Sequence, residues 1–327
     1  LAALSVSKKR TENPKGVGYL SGEELSRTLG VSRTAIWKHI RALQKKGYKI
    51  AGVPSKGYTL LDAPDVLSQS EILEKLRDQA LGTPVFFYES IGSTNDQAME
   101  VGDKGGPEGA LFLAETQTHG KGRLGRRWIS PPGVNLYISV LLRPRFPPMQ
   151  APVVTLMAAV ALAEAIIDVT GLDAWIKWPN DILIQGKKVA GILTEMHAEQ
   201  DTIHYLVVGV GINVNLDPET LPEDIRAKST SLKSCLGEKV DRTELLCRFL
   251  ECLARDYGVL NQEGPPAIFS RWDAFSRVTG RRVRVSAPRE RIEGQVEGIS
   301  SEGALIVRLP DGNRRDIFSG DVEILET

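Results

Sequence analysis

The sequence predicts an α+β protein in three successive parts, and three observations carry that prediction. Apolar residues at helical spacing around a tight turn open the chain, alternating strand-like and helix-like runs fill its middle, and short strands separated by turn residues close it. These place a winged helix-turn-helix at residues 1–63, a mixed or largely antiparallel sheet with long helices at 64–276, and a small SH3-like barrel at 277–327.

In the first part, Leu25 and Leu29, then Ile36, Ile40 and Leu43, recur at helical spacing and give two amphipathic helices. Gly30 supplies the turn between them, Val31 packs inward, and Ser32 is a good N-cap for the second helix. Gly47 is the expected C′ residue of that helix. Tyr48 to Leu61 then reads as two short strands around a Pro/Gly turn, which is the wing. The chain is neutral overall, yet through Asp62 it holds twelve Lys or Arg against four acids. A basic head on a neutral protein points to a polyanion-binding module. The start of the second helix presents Ser32, Arg33, Thr34, Trp37 and Lys38, and the wing adds Lys56, where base edges and phosphates are met. His39 reads as a packing or surface residue.

Pro64 and the polar stretch to Ser70 read as a linker into a helix over 71–79. Beyond it the expected strands are 85–89, 110–117, 135–142, 174–178, 189–196 and 204–210, and the expected helices 95–101, 153–169 and 244–260. Neighbouring strands lie close in sequence, which favours antiparallel pairing over a doubly wound sheet. In the last part, strands are expected at 282–286, 291–297, 304–308 and 314–318, with turns at 301–303 and 311–312.

Composition excludes several classes. With 42% hydrophobic and 25% charged residues the chain reads as soluble and globular. The apolar run from Pro152 to Val169 contains Glu164 and Asp168, so it reads as a buried helix rather than a membrane span. No signal-peptide pattern opens the sequence, and Cys235, Cys247 and Cys252 lack C-x-x-C spacing, which points to the reducing cytoplasm and away from a disulfide framework. His119, His197 and His204 lack metal-site spacing, and no Ser/His/Asp or Cys/His nucleophile stands out, so no metal centre is expected.

The densest chemical signal is Gly120 to Trp128, with four cations and three glycines in nine residues. Its backbone can approach an anion closely, and its guanidinium forks can clamp phosphate oxygens. It lacks the spacing of a P-loop or a Rossmann turn. A second cluster, Lys177-Trp-Pro-Asn-Asp181 followed by Gly186 to Gly191, places a carboxylate and two lysines beside an apolar strand. Ser93-Thr94-Asn95 reads as a helix N-cap, and Gly209-Val-Gly-Ile-Asn213 as a strand end where another group comes close. The implied chemistry is electrostatic: hold a polyphosphate and stabilise developing negative charge.

In this order, Ser93-Thr-Asn95, Gln117, Gly120–Trp128, Lys177–Asp181, Lys188–Gly191 and Gly209–Asn213 resemble the bacterial bifunctional biotin protein ligases, which are also biotin operon repressors. The resemblance spans essentially the whole chain. It implies a catalytic domain of the biotin/lipoate ligase type that makes biotinyl-5′-AMP from biotin and MgATP. It further implies transfer of the biotinyl group to a lysine of the biotin carboxyl carrier protein of acetyl-CoA carboxylase. Operator DNA and a second copy of the chain, joined on adenylate binding, are the other implied partners. By family motif, Ser93, Thr94, Asn95, Gln117, Lys121, Gly122, Arg123 and Lys188 line the biotin site, with backbone groups of Gly191 and Leu193. Arg123, Arg126, Trp128, Asp181 and Asn213 face the nucleotide, and Lys188 and Arg123 are the expected catalytic groups. Lys121 stands where many members carry Arg, and Leu124 where some carry another. Two rival readings are a ligand-sensing repressor without catalysis and a lipoate-type ligase. The first leaves the cationic glycine loop, Lys188 and Asp181 without a role, and the second leaves the winged helix without one.

Overall fold

The structure, a computed structural model, describes residues 19–45, 48–62, 65–77, 79–287 and 290–325. The chain divides into two compact units, the second beginning at Leu67.

The first unit packs helix α1 (Gly22–Leu29) and helix α2 (Arg33–Lys45) against the hairpin of β1 (Lys49–Val53) and β2 (Gly57–Asp62). Ser21 and Glu24 form a capping box on α1, and Gly30 ends that helix at φ 65°, a conformation that costs glycine no Cβ strain. Ser32 caps α2 by accepting the Ala35 N–H at 3.2 Å. Leu25, Ile36, Ile40, Ile50 and Leu60 form the core. The expected cap Gly47 lies outside the described residues.

The second unit starts with helix α3 (Gln69–Lys75), which begins two residues before the expected helix and stops earlier. Leu67 is already buried, and its N–H donates to Glu115 at 3.2 Å, so the expected linker is shorter than its polar composition suggests. Next come β3 (Val85–Tyr88), α4 (Thr94–Asp103), β4 (Leu111–Ala114), β5 (Leu136–Leu142) and α5 (Ala151–Thr170). Strands β6 (Trp175–Lys177), β7 (Asp181–Ile184), β8 (Lys187–Glu199) and β9 (Thr202–Ile212) follow, then short helices α6 (Glu223–Arg226) and α7 (Leu232–Leu236), and long helices α8 (Arg242–Glu263) and α9 (Pro265–Phe275). The seven strands form one mixed sheet in the order β3-β4-β5-β9-β8-β7-β6, in which only β3 and β4 pair parallel.

Helix α5 is long and apolar enough to cross a membrane by composition, but 67% of its most apolar stretch is buried inside the protein, against the sheet and α8. Strand β7 and helix α9 were not foreseen. In β7 the three apolar residues after Asp181 are too few to show a period, and α9 has little polar contrast around its axis.

The last strands, β10 (Arg282–Ser286), β11 (Arg291–Ile299), β12 (Leu305–Arg308), β13 (Arg314–Ile317) and β14 (Asp321–Ile324), form an antiparallel sheet in the order β13-β12-β11-β10-β14. This is the small all-β tail expected from the sequence, with β14 as an additional strand. Its Val283, Val285, Val307 and Val322 belong to the same hydrophobic core as the large sheet. Trp178 is buried and directs its Nε1 toward Gly303 O at 3.4 Å, so the tail is docked beside the turn that follows β6.

Candidate active site

A cleft of about 440 Å³ opens over the middle of the large sheet, lined by β8, β9, the start of α4 and the Gly120–Trp128 loop. Its floor is bare backbone. Gly191 on β8 and Gly211 on β9 are cross-strand partners, as are Leu193 and Gly209. A Cβ at Gly209 would collide with the Asn95 amide, and one at Gly211 with the Trp128 indole. Glycine at these two positions is therefore what lets a side chain from another element lie flat on the sheet. The Trp128 ring uses that space, and its buried Nε1 meets no acceptor among the described residues.

One end of the cleft is a web of side-chain amides and hydroxyls that ends on the Glu195 carboxylate. Ser93 caps α4, which turns Thr94 and Asn95 toward the sheet. The Thr94 N–H donates to Gln117 Oε1 at 2.8 Å, and Gln117 Nε2 donates to Ser130 Oγ at 3.2 Å. Ser139 Oγ, from β5, sits 2.8 Å from Thr94 Oγ1 and 2.6 Å from Asn95 Oδ1. Asn95 Nδ2 donates to Glu195 Oε2 at 2.7 Å and to Leu193 O at 3.3 Å. Each buried polar atom fixes the next, so this end is rigid and ready for a small polar head group.

The other end is cationic. The Gly120–Trp128 loop closes on itself through Trp128 N–H to Gly120 O at 2.8 Å and Gly122 N–H to Arg126 O at 2.7 Å. Leu124, at φ 57°, forms the tip of its tight turn. Lys121 is bonded to Asp96, which together with Glu195 holds its ammonium above the ordinary range. Arg123 donates to Asn180 Oδ1 at 2.9 Å and to Ser319 Oγ at 3.1 Å. Burial lowers its pKa, against the opposing pull of Asp181 and Asp321. Arg126 forms a two-pronged pair with Asp321, whose carboxyl is held below its usual range by that bond. Lys188 Nζ lies 2.6 Å from Asp181 Oδ1 and 5.4 Å from the Trp128 ring centre. A bulge where β7 meets β8 separates the Lys188 and Ala190 pairings, leaving Lys188 lining the cleft and Lys187 exposed.

Ser93, Thr94, Asn95, Gln117, Lys121, Gly122, Arg123, Arg126, Trp128, Asp181, Lys188, Gly191 and Leu193 all line this one cleft. Asn213, expected to face a nucleotide, is not part of this lining. Its amide is buried, donating to Thr230 O at 3.1 Å and accepting from Asn135 at 3.4 Å, so it secures the segment that brings Asp224, Ile225 and Ser229 to the rim. Sequence reasoning missed Ser139, Glu195, Ser319 and Asp321, and gave Asn180, within the Lys177–Asp181 motif, no particular role. Ser139 and Glu195 sit within runs read only as strands, and Ser319 and Asp321 follow a strand in the tail, where nothing local marks them.

In the first unit, Ser32, Arg33, Thr34, Trp37 and Lys38 are exposed along the start of α2. Arg33, Trp37, Arg41 and Lys56 line a groove between α2 and the wing. The Arg41 guanidinium lies 5.2 Å from the centre of the half-exposed Trp37 ring. Gly57, at φ 108°, permits the close pairing of Tyr58 with Leu20 that holds the wing to the helices.

Three family models match in chain order: an HTH domain at residues 15–59, the biotin/lipoate A/B protein ligase family at 87–213, and the biotin protein ligase C-terminal domain at 278–325. The chain is 38% identical to the bifunctional ligase/repressor BirA of Bacillus subtilis (strain 168), over 94% of this chain and 95% of that one. It is 32% identical to the protein of the same name from Escherichia coli (strain K12), over 94% and 93%. Among solved structures, the biotin protein ligase from Aquifex aeolicus in complex with biotin and ATP matches with a TM-score of 0.64 and 28% identity, covering 75% of this chain and all of that one. With winged helix, glycine-floored cleft and β tail together in one chain, this protein belongs to the bifunctional biotin protein ligase/repressor family.

Proposed function

We propose that the chain activates biotin with ATP to biotinyl-5′-AMP and transfers the biotinyl group to a lysine of a biotin carboxyl carrier protein. The observation that carries this reading is the cleft's polarity: a web of amides and hydroxyls at one end, a cationic loop at the other, and Lys188 within the same lining. A ureido ring, all donors and acceptors without charge, suits the web of Ser93, Thr94, Asn95 and Gln117, with backbone groups of Gly191 and Leu193 beside it. ATP enters as its Mg²⁺ chelate, part of the substrate, with its phosphates toward Arg123 and its nucleoside toward Trp128 and Asp181.

In the first step a biotin carboxylate oxygen attacks the α-phosphorus, and the bond to pyrophosphate breaks. Arg123 stabilises the charge that gathers on the phosphate oxygens. In the second step the carrier lysine, as free amine, attacks the acyl carbon and AMP leaves. The Lys188 ammonium faces the carboxylate before activation and the acyl oxygen afterwards, so one cation serves both steps. Lys121 and Gly122 shape the loop over the biotin end.

The winged helix binds the operator of biotin genes through Ser32, Arg33, Thr34, Trp37, Lys38 and Lys56, as a homodimer favoured by biotinyl-5′-AMP. Three free cysteines, two of them buried with thiols pushed up to about 11 by burial, suit the reducing cytoplasm. Incubating the chain with biotin, ATP and an apo carrier domain tests the catalytic half. Biotinylated carrier with stoichiometric AMP and pyrophosphate is expected, and DNA binding without any product would leave only a repressor.

A further inference from the structure

The small β tail contributes to the cleft through Ser319 and Asp321, which sit on the loop before β14 and at its first residue and reach the Gly120–Trp128 loop. The two arginines of that loop are held in different ways. Among the described residues Arg123 is bonded to neutral acceptors, Asn180 Oδ1 and Ser319 Oγ, and its charge meets no carboxylate in direct contact. Asn180 is itself fixed, accepting the Ile192 N–H through its backbone and donating to Ile192 O through its side chain, each at 2.9 Å. Arg126 is spent on both oxygens of Asp321. A guanidinium steadied by neutral partners keeps its charge for a ligand, whereas one gripped by a carboxylate ties two parts of the protein together.

We propose that Ser319 and Asp321 are positioning residues for the nucleotide half-reaction: Asp321 anchors the glycine loop over the cleft through Arg126, and Ser319 aims Arg123 at the phosphates. The loop is pinned at its other end by Lys121 on Asp96. Its glycines confer freedom that, without these pins, would have to be surrendered when ATP binds. The β tail is thus a working wall of the active site.

The proposal rests on the ligase reading, and wild-type turnover measured alongside keeps the two apart, because a wild type without pyrophosphate release defeats that reading and not this one. The pair is about half open to solvent, so the effect is modest. In the full chain, Asp321→Asn is expected to raise KM for ATP about three- to tenfold while most of kcat returns at saturating ATP, and Asp321→Glu is expected to restore the lower KM. Ser319→Ala is expected to act in the same direction. Trypsin supplies a readout independent of activity: cutting after Lys121, Arg123, Arg126 or Arg127 is expected to quicken in Asp321→Asn and to slow again with biotin plus ATP. A melting temperature near that of wild type shows that the variant is folded. An unchanged KM with unchanged cleavage overturns the proposal. So does a lower KM for ATP, which would make Asp321 a competitor of phosphate rather than an anchor.

Discussion

At the residue scale, position and partner together divide the cations of the cleft. Arg123 is partly buried and held by neutral acceptors, so Arg123→Ala is expected to cut the rate of biotin-dependent pyrophosphate release by about 100-fold or more. The loop adds little to the core, so the melting curve should hardly move. A rate within a few-fold of wild type would remove Arg123 from the phosphate site. Lys187 and Lys188 are adjacent and chemically identical, yet only Lys188 lines the cleft, beside Asp181. Lys188→Ala is expected to weaken biotin binding and to slow transfer from preformed biotinyl-5′-AMP to the carrier, while Lys187→Ala leaves both near wild type. The pair of lysines was legible in the sequence, and the family resemblance chose Lys188, with alternation along a strand turning Lys187 the other way. What the sequence did not show was the bulge, or that Asp181 is the partner that fixes its direction.

At the scale of elements, the catalytic floor is made by two strands whose glycines face one another. Gly209 sits under Asn95, and that approach is what allows helix α4 to deliver Ser93, Thr94 and Asn95 to the cleft. Gly209→Ala is expected to displace the Asn95 amide and with it the contacts to Ser139, Glu195 and Leu193. Biotin affinity by calorimetry should fall by about tenfold or more, the equivalent of one or two hydrogen bonds of about 1 kcal/mol each. Affinity equal to wild type would mean that the web is not the biotin end. The motif Gly209-Val-Gly-Ile-Asn213 was visible as a place of close approach, but not what approached. Asn213 shows the converse: an amide that looked available for a ligand is consumed by Thr230 and Asn135.

At the scale of the whole molecule, two units with separate cores carry two activities. The basic residues of the winged helix supply DNA affinity that falls steeply with salt, because the counterions released on binding gain less entropy as salt rises. Gel shifts on the protein's own promoter region are expected to tighten with biotin plus ATP and with protein concentration, since the adenylate shifts the population only if it prefers the dimer-competent state. Arg33→Ala is expected to weaken operator binding without changing carrier biotinylation, because its groove belongs to the first unit alone. Binding that ignores the adenylate would separate the winged helix from the ligase cycle.

What the sequence determined by itself is everything written in local pattern. Helical spacing set α1 and α2, apolar runs bounded by turn residues set most of the strands, and charge with glycine density marked the Gly120–Trp128 loop. Only the tertiary structure decided which partner each charged group would meet. Arg126 and Asp321 are 195 positions apart, and Arg123 and Ser319 are 196. No local period or turn rule links such residues. They meet because the β tail shares its core with the large sheet, and burying that shared apolar surface brings the polar rim of one against the loop of the other.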